Sequence, residues 1–496
     1  MAKTQQQRII LGLKIRQLRQ ERGWNFEELG RHTGISVSYL NEIEKGKKHP
    51  QPENLAKLAE AFAVAPEFLL SQQLTKQYAP LGDLLQSNFL NELPLELFGI
   101  ELQQVVEIIA RAPERVNAFI SALLEIARNY SLREENFYFA ALRAYQELRM
   151  NYFEEIEQAA DEFVQKHSLP TDGGPSAATL AALLKSEFGY RIEDKGLAKI
   201  PELRGLRSVF IPKRRRLLLN GNLHERQRAF QLAKELGFSA LQLKERPQTS
   251  NFLKINSFEE VLNNFKAAYF AVALLVNRQS FVRDLRSFFG QPTWNPQFLQ
   301  ELMSKYQASP EVLFQRFNVL SREFDLHKVF FMRIIHDLDR DGFDIDKELH
   351  LNRRHQPHAS GLNEHYCRRW LSLTLLRDLQ NHQAATGLHG QMLTGIQRAT
   401  FFDAGEEYIC FALAKPGYPT PNRNVSVILG IQVDDDARRT ISFLDDPNIP
   451  RQTVNVTCQR CAVPDCAERA VPPIVLEKRE ERRQMLDALR RLTGVQ

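Results

Sequence analysis

The sequence predicts a mainly α N-terminal half followed by α+β domains. Three features carry that expectation. Apolar residues recur at helical spacing through the first seventy residues and again from about 100 to 167, a Pro/Gly-rich break falls at 169–175, and short strand-like runs such as SVFIP and RLLLN follow it. With 496 residues, 43% of them hydrophobic, and a prior of ~150 residues per domain, the chain has apolar material for about three cores. The first thirty residues lack the apolar stretch of a signal peptide, and no run approaches the ~20 apolar residues that span a bilayer. A cytoplasmic protein with no membrane partner is therefore expected. Five cysteines occur, three of them at 458, 461 and 466; that is a poor disulfide framework and points to a reducing compartment.

The net formal charge of +5 is concentrated at one end. Residues 1–50 hold ten Lys or Arg against five Asp or Glu, which leaves 55 of each sign beyond them. Such an excess points to a polyanion partner, because neutralising phosphates supplies most sequence-independent DNA affinity. Ile9, Leu11, Ile15 and Leu18 mark a basic amphipathic helix over Arg8–Arg22, which Gly23 ends. Asn25 and Glu28 have the spacing of a capping box and open a short helix that carries Leu29 and stops at Thr33-Gly34. Ser36 caps the next helix, on which Leu40 and Ile43 face inward while Val37, Ser38, Tyr39, Asn41 and Glu42 point outward. Behind it Gly46 permits a left-handed turn, and Lys45, Lys47 and Lys48 stand where phosphates would pass. A closing helix buries Leu55, Leu58, Ala59 and Phe62.

Short helices, a glycine turn, a polar helix face and a lysine-rich exit occur together in a helix-turn-helix whose second helix enters the major groove of double-stranded DNA. The string ELGRHTGISVSYLNEIEKGKKHPQPENLAKLAEAF resembles the phage-repressor-like XRE family. A lambda-repressor-like helix-turn-helix domain is thus expected over 1–73, with Ser36, Val37, Ser38, Tyr39, Asn41, Lys45, Lys47 and Lys48 as the DNA-binding set. Phe26 stands where that family usually has a glutamine that braces or reads DNA.

Residues 74–95, rich in Leu, Pro and Asn, read as a linker, and three or four helices are expected between 100 and 167. The apolar stripes on 105–130 and 135–163 are too wide for a lone surface helix, so they meet either a domain core or a second chain. A helical linker and dimerisation region over 74–170 is expected on that basis, in a homodimer or higher homo-oligomer spanning two half-sites about one DNA turn apart.

From 171 a small α+β domain begins, with a helix near Leu180 to Phe188. Its string RAFQLAKELGF, residues 228–238, resembles the active helix of the IrrE/ImmA-type metallopeptidase family. A zinc peptidase needs two histidines four apart with a glutamate beside the first, whereas this chain offers Lys234, Glu235 and Phe238. A lysine ammonium only donates and cannot replace a ligand. A degenerate ligand-binding domain over 171–335, with no catalytic residues and no enzyme activity, is the expectation. The helix NNFKAAYFAVALLVNRQSFVRDL and the segment SPEVLFQRFNVLSREF continue the same layout. The run Lys213, Arg214, Arg215, Arg216 reads either as a contact for the phosphates of a ligand or as a solvated loop.

In TCQRCAVPDCAERAVPP the spacing of Cys458, Cys461 and Cys466 marks a loop that can share one soft ion, with zinc and an iron–sulfur cluster as candidates. Cys367 is the candidate fourth ligand; the alternatives are an external ligand, an open position, or three free thiols. Cys410 reads as an ordinary buried thiol. The whole architecture, closing with a C-terminal sensor domain over 336–496, resembles the short-chain fatty-acyl regulator family, on the marks RAFQLAKEL, AAYFAVALL, FFMRI, CRRW and CQRCAVPDCAERAVPP. That resemblance implies a sequence-specific transcriptional regulator of short-chain acyl metabolism. Its middle domain would bind an acyl-CoA-like effector, and Cys458, Cys461 and Cys466 would hold an iron–sulfur cluster (4Fe-4S). After FFMRI the segment IHDLDRDGFDIDKELHL is more acidic than is usual there, and Cys367 is followed by two arginines instead of a proline and an apolar residue. The mechanism expected is a ligand or redox change that alters the separation of two recognition helices. A rival reading is a DNA-binding metallopeptidase that cleaves a partner repressor, and a third is a toxin-antitoxin-like interaction protein.

Overall fold

Residues 2–71, 134–250, 252–351, 364–388, 390–417 and 422–493 are described by a computed structural model of the chain. The expected linker at 74–95 and the stripe at 105–130 lie outside the described residues. Two units are resolved by their internal contacts, the first comprising Met1–Tyr145 with Asn256–Phe258 and the second the remainder.

The first unit opens with α1 (Ala2–Glu21), α2 (Phe26–Thr33), α3 (Val37–Glu44), α4 (Pro52–Ala61) and α5 (Pro66–Leu70). Local chemistry sets each end. The Glu28 amide donates to the Asn25 side chain at 2.9 Å and the Asn25 amide donates back to the Glu28 carboxylate at 2.7 Å, closing the capping box. Gly34 ends α2 in the left-handed conformation, φ 68°. The Ser36 hydroxyl accepts from the Tyr39 amide at the head of α3, and α4 and α5 each carry proline in their first turn. Leu11, Ile15, Leu29, Leu40, Ile43, Leu55, Leu58 and Phe62 fill one core. Helix α1 lies so close to the end of α3 that a Cβ on Gly12 would stand 2.5 Å from the Ile43 carbonyl oxygen, so only glycine fits there. Helix α6 runs over Glu134–Leu148.

The second unit begins with α7 (Glu154–Lys166) and α8 (Ala177–Ser186), followed by a small sheet in the order β1-β3-β2. Strand β1 (Arg191–Glu193) runs parallel and β2 (Ser208–Ile211) antiparallel to β3 (Arg216–Leu219). Helix α9 (Glu225–Ala240) packs on α8 through a face that buries Leu232, Ala233 and Leu236. The apolar run expected as one helix over 263–285 is two, α10 (Phe258–Leu275) and α11 (Arg278–Phe289). The reason is Asn277, whose side chain accepts from the Ser280 amide at 3.2 Å and starts a new helix. Next come α12 (Gln297–Lys305), α13 (Pro310–Arg316) and the single turn α14 (Leu320–Glu323).

A six-stranded sheet follows in the order β5-β4-β8-β7-β6-β9. It comprises β4 (Val329–Asp337), β5 (Gly342–His350), β6 (Leu393–Phe401), β7 (Glu407–Pro416), β8 (Arg423–Gln432) and β9 (Arg451–Val454). All neighbours are antiparallel except β9, which runs parallel to β6. Strand β4 crosses residue 335, where the sequence placed a domain boundary. Helix α15 (Leu371–Thr386) covers one face, burying Leu371, Leu375, Leu376 and Leu379 against Ala412, Ala414 and Ile428. The C-terminal helix α16 (Ile474–Thr493) buries none of its residues. A helical N-terminal region followed by mixed α/β structure is what the patterning predicted. Among the described residues no helix is long and apolar enough to cross a membrane.

One buried ion pair ties the helices of the second unit together. Arg316, fully buried on α13, meets the Glu157 carboxylate of α7 at 2.5 and 2.9 Å and donates through Nε to the Val276 carbonyl at 2.7 Å. The Tyr269 hydroxyl of α10 donates to the same carboxylate at 2.9 Å. Burial works against ionising Glu157, but the Arg316 guanidinium outweighs it and holds the carboxyl below its ordinary value. Removing one partner of such a pair leaves a buried charge uncompensated. Glu157→Ala is expected to destabilise the protein by ~3 to 5 kcal/mol in urea unfolding, and a loss below ~1 kcal/mol would show that the network does not organise this unit.

Candidate DNA-binding face and a cationic cluster

Helix α3 separates its two duties by face. Leu40 and Ile43 are fully buried, while Ser36, Val37 and Ser38 are exposed at its head and Tyr39 and Asn41 are half-buried along it. The turn behind it is drawn back over the helix end, since the Lys47 and Lys48 amides both donate to the Glu42 carbonyl, at 2.9 and 3.3 Å, with Gly46 at φ 67°. Lys45, Lys47 and Lys48 are all exposed there, but they are not equivalent. The Lys48 ammonium lies 2.8 Å from the Glu42 carboxylate, whose hydrogen bond and charge raise its pKa. Lys45 and Lys47 have no such partner among the described residues.

A second feature of this unit escaped the sequence reading. Arg19 of α1 grips Glu44, the last residue of α3, at 2.6 and 3.1 Å, and its guanidinium lies 4.4 Å from the centre of the Phe26 ring. Phe26, standing where a glutamine was expected, therefore braces this pair through its ring face. No local spacing announces a partner 25 residues away. The Lys14 ammonium is likewise internal, donating to the Phe68 and Ser71 carbonyls at 2.6 and 2.5 Å and to the Ser71 hydroxyl at 2.7 Å. It pins the end of α5, and burial pushes its pKa down to about 8.

In the second unit, α9 carries Lys234, Glu235 and Phe238 at the positions of the zinc-peptidase triad. Glu235 is engaged by Arg246 through both oxygens, at 2.6 and 2.7 Å, and that guanidinium is sandwiched by the Phe238 and Phe210 rings at 3.8 and 4.0 Å. Its carboxylate is neutralised and covered. Lys234 is only 8% exposed, and its ammonium makes no hydrogen bond or ion pair among the described residues. Burial pushes its pKa down to about 7; Glu235 opposes the shift, and Arg246, Lys347 and Arg207 add to it.

These cations belong to a larger group. Arg207, just before β2, and Lys347, on β5, also lack an ion-pair partner among the described residues. Arg333 of β4 is paired with Asp346 at 2.9 Å, and Lys415 of β7 with Glu311 of α13 at 3.2 Å. Burial opposes the ionisation of Glu311, yet the charges of Lys415, Arg207 and Arg333 hold it far below the usual carboxylate range. Desolvation by surrounding atoms, with the charges of Arg333 and Arg207 added, brings Lys347 down to about 8, although the residue is exposed. Five cations (Arg207, Lys234, Arg333, Lys347, Lys415) face two carboxylates (Glu311, Asp346), a local excess of three positive charges. They come from five separate elements, so no run in the sequence revealed them. The run that did stand out, Lys213 to Arg216, forms the exposed turn between β2 and β3. There Arg215 donates to the Phe188 carbonyl at 2.7 Å and Arg216 pairs with Glu193 at 2.8 Å.

The cysteine loop is drawn toward Cys367. The Cys367 amide donates to the Val456 carbonyl at 3.1 Å, the Cys458 amide to the His365 carbonyl at 2.8 Å, and the Cys461 amide to the Cys458 carbonyl at 3.2 Å. Cys367, Cys458 and Cys461 are buried; burial raises the pKa of Cys367, and the Cys458 and Cys461 thiols add to that shift. Cys466 is less buried. Among the described residues no group of three or more His, Cys, Asp or Glu side chains is placed to hold a metal ion. Cys367, Cys458 and Cys461 are nonetheless near enough for their charges to act on one another. Cys410 sits inside the sheet, and burial pushes its thiol up to about 12.

Comparison with known proteins finds two family matches and similar regulators. The helix-turn-helix family matches residues 15–69, and the IrrE N-terminal-like domain matches residues 191–318. The HTH-type transcriptional regulator RamB of Mycobacterium tuberculosis is 23% identical over 496 residues, covering 94% of each chain. The HTH-type transcriptional regulator PrpR of the same species is 25% identical over 245 residues, 46% of this chain and 48% of its own. A solved Mycobacterium tuberculosis transcriptional regulator, 21% identical, covers 67% of this chain and 94% of its own with a TM-score of 0.47.

The unequal lysines give a direct test. Lys47→Ala is expected to weaken duplex binding and to reduce the salt slope by about one, whereas Lys48→Ala changes it by clearly less because Glu42 already neutralises that charge. Fluorescence anisotropy on a duplex between ~50 and ~200 mM salt measures both slopes. Identical slopes in the two variants would contradict the assignment.

Proposed function

We propose that this chain, a helix-turn-helix DNA-binding transcriptional regulator, senses a short-chain acyl-CoA or a related polyanionic metabolite at the cationic cluster of its second unit. One observation carries the reading: Arg207, Lys234 and Lys347, near enough for their charges to act on one another, have no ion-pair partner among the described residues. Holding the buried Lys234 without counter-charge is unfavourable, and a phosphate-bearing ligand beside it would relieve that cost on binding. Such a ligand would touch the IrrE-like body through Arg207 and Lys234 and the C-terminal sheet through Lys347, clamping two parts of the unit. A coupling of ~1 to 3 kcal/mol between this site and the operator would suffice to switch promoter occupancy.

The same proposal includes a homodimer or higher homo-oligomer in the cytoplasm, because two half-sites about one DNA turn apart require paired recognition helices. It assigns no catalytic residues. Zinc-dependent proteolysis would need Glu235 free as a general base and two ligands beside it, whereas Glu235 is held by Arg246 and its neighbours are Lys234 and Phe238. A redox role for the cysteine loop would run through zinc or a 4Fe-4S cluster on Cys458, Cys461 and Cys466 with Cys367. Metal and sulfide analysis of anaerobically purified protein tests it: one zinc or four irons per chain, lost in Cys458→Ser, would support the role and a metal-free chain would remove it.

Calorimetric titration with a short-chain acyl-CoA series tests the cluster. Arg207→Ala and Lys347→Ala are each expected to weaken binding by ~10-fold or more, since each removes a charged contact. Absence of binding to every member, or unchanged affinity in both variants, would overturn the effector assignment.

A further inference from the structure

We infer that the second unit carries a further binding site, for a small polyanion of the nucleoside diphosphate class, in an arginine-lined groove between α7, α11 and α14. The groove is lined by residues other than the cationic cluster, and the inference does not depend on the effector reading of that cluster.

The groove has a volume of about 550 Å³, inside the range of ~300 to 1,000 Å³ that small-molecule sites occupy. Four arginines line it, Arg278, Arg283 and Arg286 of α11 and Arg322 of α14, against two carboxylates, Glu154 at the start of α7 and Glu323. Helical spacing gathers the first three. Positions 278, 282 and 286 are four apart and lie along one face, with 283 beside them, and Val282 is buried between the charged positions. From 278 to 286 this face runs ~12 Å, at ~1.5 Å per residue.

The way these arginines are held sets them apart from others in the unit. Arg246, Arg316 and Arg398 each grip a carboxylate through two nitrogens at 2.9 Å or less, which commits their donors to the fold. In the groove, Arg278 donates at 2.6 Å to the Tyr152 hydroxyl but stands 3.5 Å from both Glu154 and Asp161. Arg283 is 3.8 Å from Asp172, a carboxylate that Lys305 already binds at 2.8 Å. Arg286 and Arg322 are exposed and make no ion pair or hydrogen bond among the described residues. The Arg286 guanidinium lies 6.0 Å from the centre of the Phe324 ring, which places it without using its donors.

A guanidinium fork matches the paired oxygens of phosphate or carboxylate. Arg278, Arg283 and Arg286 are drawn toward three different neighbours, Tyr152, Asp172 and Phe324, so they do not converge on a single anion. Two linked phosphates can engage several of them where one phosphate cannot. Glu154 and Glu323 repel a plain polycarboxylate, yet they accept hydrogen bonds from hydroxyl and amino groups. A ribose and a base supply such donors, and linked phosphates on a donor-rich body describe a nucleoside diphosphate.

Calorimetric titration of the full chain with ADP, pyrophosphate and inorganic phosphate tests the site. ADP is expected to bind once per chain, more tightly than pyrophosphate and far more tightly than phosphate. Arg286→Ala and Arg322→Ala should each weaken ADP binding by ~10-fold or more, the size of one lost charged hydrogen bond. Because neither side chain bonds to the rest of the described protein, their thermal melts should match that of the unaltered chain. Arg286→Lys, which keeps the charge and loses the fork, should not restore the affinity. Acyl-CoA titrated into the same variants should bind as it does to the unaltered chain. No ADP binding, or equal affinity in both alanine variants, would overturn the inference and leave the cationic cluster untouched. Loss of ADP and acyl-CoA together in Arg322→Ala would overturn the existence of a separate groove site, and phosphate binding as tightly as ADP would overturn the ligand class.

Discussion

An unpartnered lysine at position 234 is the constraint around which the second unit is arranged. A charge in that position is unfavourable to bury, and the surrounding groups show how the protein accommodates it. Glu235, which would have been its nearest counter-ion, is claimed by Arg246; Glu311 is claimed by Lys415, and Asp346 by Arg333. Arg207 and Lys347 likewise lack an ion-pair partner among the described residues, but Arg207 is half-buried and Lys347 is exposed. The remaining way to lower the cost is to release the proton, which is why the amine titrates near 7. Because the unfolded chain holds that proton up to about pH 10.4, this residue makes folding less favourable at neutral pH and the deficit fades as pH rises from about 7 toward ~10. Under the proposed reading, an anion bound beside Lys234 would return that stability and couple occupancy to the folded state.

The DNA-binding unit is built the opposite way, with its charges closed off internally. Arg19 is committed to Glu44 and the Phe26 ring, Lys14 to the end of α5, and Lys48 to Glu42. These contacts fix α3 against its core and leave Lys45 and Lys47, just beyond its end, open to phosphate.

The parts of the fold that were legible in the sequence are those determined within a few residues. The capping box of Asn25 and Glu28, the left-handed Gly34 and the buried stripe of Leu55, Leu58 and Phe62 each declare themselves locally. Asn277 carried the same kind of signal, an N-cap three residues before a helical amide, but it sits inside an unbroken apolar run and the periodicity masked it. The candidate cluster was legible only at one point. Lys234 was visible because it stands where a histidine would be needed, while Arg207, Arg333, Lys347 and Lys415 are single basic residues in separate strands and turns that tertiary folding alone brings together. The basic run at 213–216 misled for the converse reason: consecutive cations repel one another and settle in a solvated turn. For the cysteines, sequence spacing placed Cys458 and Cys461 together and the 366–457 bridge brought Cys367 to them, but spacing does not fix where the thiols converge.

The most direct measurement is the titration of the Lys234 side chain itself, followed by NMR on protein with labelled lysine methylenes and assigned by comparison with Lys234→Arg. A midpoint near 7, moving upward when a phosphate-bearing ligand enters and supplies counter-charge, is the result this account predicts. A midpoint near the ~10.4 of a solvated lysine, unmoved by any such ligand, would contradict it.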